Sequence, residues 1–221
     1  MAVELYKTPN KYASTPSLIK LEEEYQVTGY QTFKVGKDWI ETNSKKYNLI
    51  YPHLNDKLNN KTFLDLGGAN GIYSFLATFE GAKATIVDID KEHLNIVKKI
   101  SDEYGFDINI IEKNITEIDM KADVVNALAL IHWIYSCTST FGSLDKAVKF
   151  LSDLTKETLI IEWVEPTDGA INFLKHIKFN EESIEEPYNF DNFIKALNKY
   201  FDKVEHIGDV TLSRKLYKCI K

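Results

Sequence analysis

Lys61-Thr62-Phe63-Leu64-Asp65-Leu66-Gly67-Gly68-Ala69-Asn70-Gly71 is the stretch whose reading decides the fold. Phe63, Leu64 and Leu66 make an apolar strand, and Asp65 is the acid at its end. The chain then turns through Gly67, Gly68 and Gly71 into an apolar periodic run, Ile72 to Phe79. A second strand, Ala84 to Val87, also ends in an acid, Asp88. A strand, a glycine turn, a helix, a strand and an acid at its tip predict a nucleotide-cofactor site. The glycines alone would suit a simple strand-to-helix turn. The two acids make the case for a ligand.

Working outward, the pattern keeps alternating. The residues predict strands at Thr62–Leu66, Lys83–Asp88, Ile108–Glu112, Ala122–Leu128 and Thr158–Val164. Helical spacing covers Gly71–Phe79, Lys91–Tyr104, Ser143–Leu154 and Asp191–Tyr200. Gly81 is placed to end the first of these helices, and Asp90 to cap the second. Asp123 is read as the start of the fourth strand, and Asp168 as part of a turn with Gly169. The segments Lys203–Val210 and Arg214–Ile220 are joined by a connection short enough for an antiparallel hairpin. Such alternation predicts an α/β fold with a mostly parallel seven-stranded sheet, a C-terminal antiparallel hairpin and helices on both faces. Its ligand should sit outside the carboxyl ends of the strands.

Upstream, residues 1–60 read as a polar and aromatic extension ahead of a domain at 61–221. Ser17–Gln26 suits a short helix and Asp38–Leu54 a longer one, with Trp39, Ile40, Tyr47 and Ile50 on one face. Pro52 is expected to break or kink the longer one near its end. Glu181–Pro187 reads as a solvated acidic loop.

Gly67 and Gly68 let the backbone approach a ligand, and Asp88 can accept two ribose hydroxyls. That much suits NAD as well as S-adenosylmethionine. The dinucleotide pattern G-x-G-x-x-G fails, because Ala69 and Ile72 stand where its second and third glycines belong. Asp65 would repel a pyrophosphate and suits a cationic amino acid or sulfonium.

Together these features resemble the class I S-adenosylmethionine-dependent methyltransferases. Their first motif, D-x-G-x-G-x-G, falls on Asp65 to Gly71, with Ala69 in place of the middle glycine. The likeness implies S-adenosylmethionine as cofactor and a Rossmann-like methyltransferase sandwich. It implies donor contacts at Asp65, Gly67, Gly68, Asn70 and Gly71, with Asp88 on the ribose. Ile89, Asn114 and Ile115 then lie at the adenine, and Leu128 with Gly67 at the methionine part.

The acceptor side is read from residues beyond strands four and five. His132 is the candidate proton acceptor, since an ordinary imidazole titrates near neutrality; the alternative is a packed histidine at a helix start. Trp133 beside it is a candidate acceptor contact, and His-Trp pairs also occur in methyltransferases of small carboxylates. Glu162 is a second catalytic candidate and Glu165 a third; for both the alternative is a solvated acidic loop. Lys37, Tyr30, Trp39, Phe33 and Tyr47 could cover the site, Lys37 on the donor's carboxylate and Tyr30 and Trp39 on the acceptor. Aromatics packed in the core are the other reading. The run from His132 through the segment Leu159–Asp168 to Arg214–Tyr217 resembles a bacterial branch linked to surface-polysaccharide or nodulation-factor synthesis. That likeness implies O-methylation of a glycan-related acceptor, at a sugar hydroxyl or terminal phosphate. A small-carboxylate enzyme and a non-catalytic cofactor-binding partner protein remain open.

Bulk composition fits. The 221 residues carry 44% apolar side chains and a net charge of −6, enough for a core and against a dedicated nucleic-acid binder. Among 27 lysines and arginines Arg214 is the only arginine. Cys137 and Cys219 give neither a metal-ligand spacing nor a disulfide framework. No window approaches the roughly 18 apolar residues of a membrane span. No secretory leader is evident at the N-terminus. A cytoplasmic protein without a metal is expected.

Overall fold

The structure is a computed structural model that describes residues 37–54, 58–136, 140–173 and 186–221. Tyr30 and Phe33, the helix expected at Ser17–Gln26, Cys137 and most of the acidic loop lie outside those residues. So do the side chains of Lys37, Trp39, Ile40 and Tyr47. The described strands form a seven-stranded sheet of order β3-β2-β1-β4-β5-β7-β6, with helices on both sides. The chain up to Ile115 and the chain from Thr116 make two compact units.

In the first unit, helix α1 (Lys37–Leu54) precedes β1 (Thr62–Leu66), α2 (Ile72–Phe79), β2 (Lys83–Asp88), α3 (Lys91–Tyr104) and β3 (Ile108–Glu112). Pro52 lies inside α1, which continues to Leu54 instead of breaking before it. The three strands are parallel, with Thr62 opposite Lys83 and Ala84 opposite Ile108. Phe63, Leu64, Ile86 and Val87 are buried, as strands covered on both faces require. Helix α2 ends because Gly81 takes a left-handed φ of 86°. Its N–H donates to the Thr78 carbonyl, and that of Ala82 to the Ala77 carbonyl. This paired closure satisfies two carbonyls that a helix end leaves open. Asp90 caps α3 by accepting from the N–H groups of Glu92 and His93. Val97 and Ile100 turn that helix inward, and Phe75 meets Phe106 with ring centroids 5.0 Å apart.

The second unit holds β4 (Ala122–Ala127), α4 (Ile131–Ser136), α5 (Leu144–Leu154), β5 (Thr155–Val164), α6 (Phe190–Tyr200), β6 (Lys203–Thr211) and β7 (Arg214–Ile220). β4 and β5 are parallel, and β7 runs antiparallel to both β5 and β6. β5 begins three residues earlier than its apolar run, because Thr155 pairs with Ala122 of β4. Ser143 caps α5 through the Lys146 N–H, and Asn189 caps α6 through the Asn192 N–H. Trp163 of β5 is buried between Tyr188 and Phe193, with centroids 4.6 and 4.8 Å away. Burying a side chain of this kind is worth roughly 1.5–3 kcal/mol. The sandwich therefore ties α6 to the sheet.

Candidate functional site

The turn after β1 is built from unusual backbone. Gly67, Ala69 and Gly71 all have left-handed φ values, 64°, 48° and 80°. Ala69 pays for this in steric strain, about 1 kcal/mol or more for an L-residue. What holds it is Asp88: the Ala69 N–H donates to Asp88 Oδ2 over 2.8 Å. The Asp90 N–H donates to the other oxygen, Oδ1, over 2.9 Å. Gly68 is fixed by packing, since a Cβ there would lie 2.6 Å from Ile86 Cγ1 and 3.0 Å from the Asp65 carboxyl carbon. Asp65 is buried and accepts from Ser74 Oγ over 2.8 Å, so it braces the first turn of α2. Asn70 is 0% exposed, yet neither Oδ1 nor Nδ2 has a hydrogen-bond partner. A buried amide left open costs about 1–3 kcal/mol, which a bound polar group would recover.

β3 is tied to the same corner, because the Lys113 N–H donates to the Asp88 carbonyl. Asn114 and Ile115 follow at once, both half-buried. Ile89 stands 71% exposed directly after Asp88.

In the second unit, Leu128 is buried just after β4. His132 is the second residue of α4, 1% exposed, and its Nδ1 has no hydrogen-bond partner. Burial pushes the imidazole down to about 4; Arg214 pushes the same way and Asp168 opposes. Trp133 is 50% exposed, with its ring 5.8 Å from that of His132. Tyr135, one turn on, donates to the Glu186 carbonyl over 2.6 Å and packs on Tyr188.

Glu162 is fully buried inside β5, opposite Leu216 of β7, which removes the solvated-loop alternative for it. Glu165 is half-buried and paired with Lys215. Asp168 does lie in a turn, where its Oδ1 accepts from the Ala170 N–H. It does more than that. Arg214 Nε donates to Oδ2 and Nη2 to Oδ1, each over 2.9 Å, and Ser213 Oγ donates to Oδ2 over 2.6 Å. The Arg214 guanidinium holds the carboxyl well below its ordinary range. Sequence reasoning missed this pair. The one signal was the solitary arginine in a chain that otherwise uses lysine. Among the described residues no group of His, Cys, Asp and Glu could hold a metal ion.

The fold has solved counterparts. The chain superposes on magnesium protoporphyrin IX methyltransferase (ChlM) from Synechocystis PCC 6803 with bound S-adenosylmethionine, at a TM-score of 0.61. The match covers 98% of this chain and 97% of that one, at 12% identity. The fold is that of the class I methyltransferases. WbdD gives a TM-score of 0.59 at 18% identity, over 91% of this chain and 46% of that one. In sequence, a bovine (Bos taurus) protein-lysine methyltransferase, METTL21E, is 25% identical over 200 residues. The match takes in 83% of this chain and 56% of that protein. A human putative methyltransferase-like protein 21E pseudogene is 24% identical over 201 residues, 83% of this chain and 59% of its own length. The chain thus spans rather more than half the length of these curated relatives. No protein-family model matches it.

In a class I methyltransferase fold the β1 turn and the tip of β2 face the methyl donor, and these residues fit that group. A carboxylate offers about four lone-pair positions, and the amides of Ala69 and Asp90 orient Asp88 so that it can take a pair of hydroxyls as well. Ile89 supplies an apolar face for a base. Asn70 holds an amide ready for a polar group.

Proposed function

We propose that the chain is an S-adenosylmethionine-dependent methyltransferase acting on an oxygen of a glycan-related or other small acceptor. The observation that carries the donor half is the Asp88 carboxylate, aimed by two backbone amides beside a strained glycine-rich turn and an exposed Ile89. Asp65, Gly67, Gly68, Asn70 and Gly71 form the cradle; Asp88 takes the ribose; Ile89, Asn114 and Ile115 flank the base. Leu128 belongs to the methionine end, and Lys37 to its carboxylate. The bound donor supplies an electrophilic methyl group on a sulfonium.

The acceptor half rests on His132 and Trp133. A neutral, buried imidazole with an unpartnered nitrogen takes up the proton that a hydroxyl releases. Trp133 offers a half-exposed aromatic face to the acceptor. Glu162 supports the same step from β5. A lysine side chain of a protein is the second reading, favoured by the resemblance to the bovine protein-lysine methyltransferase.

Two measurements test this. Calorimetric titration compares S-adenosylmethionine with NAD, and heat with NAD alone would overturn the donor assignment. Transfer of a labelled methyl group is then followed with sugars and sugar phosphates, small carboxylic acids, and lysine-containing proteins. Label on lysine alone would replace the oxygen reading with the second one.

A further inference from the structure

Ala69 stands in the left-handed region, φ 48°, between Gly67 at 64° and Gly71 at 80°. Glycine reaches that region freely, whereas alanine is strained there by its Cβ. Strain that persists at a ligand-binding turn points to a use for the side chain that causes it.

A hydrogen bond sets where that side chain lies. The Ala69 N–H donates to Asp88 Oδ2 over 2.8 Å. The Ala69 Cβ is two covalent bonds from that nitrogen, so it lies within about 5 Å of Oδ2. A hydroxyl that donates to the same oxygen stands about 2.7 Å from it. The methyl and such a hydroxyl are therefore neighbours across one oxygen. Ala69 is half-buried, while Gly68 and Asn70 on either side of it are buried. It is thus the point at which this part of the turn comes to the surface, next to the half-buried Asp88. Ile89, the residue after Asp88, is 71% exposed. Two apolar groups accompany the carboxylate, one through the hydrogen bond and one through the chain.

We propose that Ala69 is a donor-contact residue: its methyl packs on the ribose held by Asp88 and fills space that a glycine would leave to water. This rests on the reading of Asp88 as the ribose site. The left-handed strain follows from placing a Cβ at that point, and the bond to Asp88 offsets it. Some stability of the free chain is exchanged for a tighter hold on the donor.

The test is Ala69→Gly in the full chain, read by calorimetric titration with S-adenosylhomocysteine and by urea unfolding without ligand. Affinity should fall about threefold to fivefold, the effect of one buried methyl group. The urea midpoint should equal or exceed that of the parent, because relief of the left-handed backbone outweighs the freedom that the unfolded chain gains. A residue that only shapes the turn would show no such opposition. Affinity equal to or above that of the parent overturns the proposal. So does a lower midpoint, which would place the methyl in the packing of the fold.

Asn60→Gly controls for a general effect of glycine. Asn60 is also left-handed, φ 61°, but it precedes β1 at the amino end of the strand. Its donor affinity should match that of the parent, and a loss as large as that of Ala69→Gly overturns the proposal. The same titrations separate this idea from the one beneath it. A parent that does not bind S-adenosylhomocysteine removes Asp88 from a donor site and the methyl contact with it. A parent that binds, together with an Ala69→Gly variant that binds as well, overturns the methyl contact alone.

Discussion

The Ala69 backbone N–H donates to Oδ2 of Asp88 across 2.8 Å, joining the turn after β1 to the tip of β2. One carboxylate thus stabilises a left-handed alanine and, by the proposed function, holds the donor's ribose. Asp88→Asn should separate these roles only poorly. Both of its oxygens face backbone N–H donors, so an amide must present a donor to one of them. We expect donor affinity to fall at least tenfold, about 1.4 kcal/mol. Stability should fall by about 1–3 kcal/mol from the broken charge-assisted bond. Calorimetry and urea unfolding measure the two losses. Unchanged affinity would remove Asp88 from the donor site.

Gly68→Ala addresses packing alone. The new methyl would lie 2.6 Å from Ile86 Cγ1, well inside contact distance. Overpacking of this kind costs about 1–3 kcal/mol. Because Ile86 is the obstacle, Gly68→Ala with Ile86→Ala should cost less than the two single changes added together. A double-mutant cycle by urea unfolding checks it. Strict additivity would mean that the clash is relieved elsewhere.

Much of this was legible along the chain. The β1, β2 and β3 boundaries follow from short apolar runs closed by local turn chemistry, and the Asp90 cap is a three-residue event. The early start of β5 was not legible. Thr155, Lys156 and Glu157 carry no strand signal of their own, and Thr155 belongs to the strand by pairing with Ala122. The six-residue helix α4 is likewise too short for a periodic pattern. The Asp168–Arg214 pair depends on β7 returning beside β5, a relation that no local spacing encodes.

Tyr135→Phe tests how α4 is held. The hydroxyl donates to the Glu186 carbonyl over 2.6 Å, and the ring rests on Tyr188. Removing the oxygen keeps the ring contact and leaves that carbonyl without its donor. The expected loss is about 1–2 kcal/mol, seen as a lower Tm. Hydrogen exchange should quicken in Ile131–Ser136 more than in β5. Equal acceleration in both would show that Tyr135 does not act on α4 in particular.

The pH dependence of stability should carry the signature of His132. Its folded-state value is about 4 against an ordinary 6.5. Between those two pH values the unfolded chain binds a proton that the folded chain refuses. Stability is therefore fully present above 6.5 and declines as pH falls towards 4, by about 1.4 kcal/mol per unit at most. Across the whole window the loss amounts to about 3 kcal/mol. Asp168, held low by Arg214, has the opposite chemistry but the same direction of loss, and its contribution disappears only below its ordinary 3.8. The two windows barely overlap. Urea unfolding of the parent and of His132→Gln, at steps from pH 7 to 4.5, isolates the first. The parent should lose more stability than the variant over that range, and parallel curves would mean that His132 takes up its proton in the folded chain as readily as in the unfolded one.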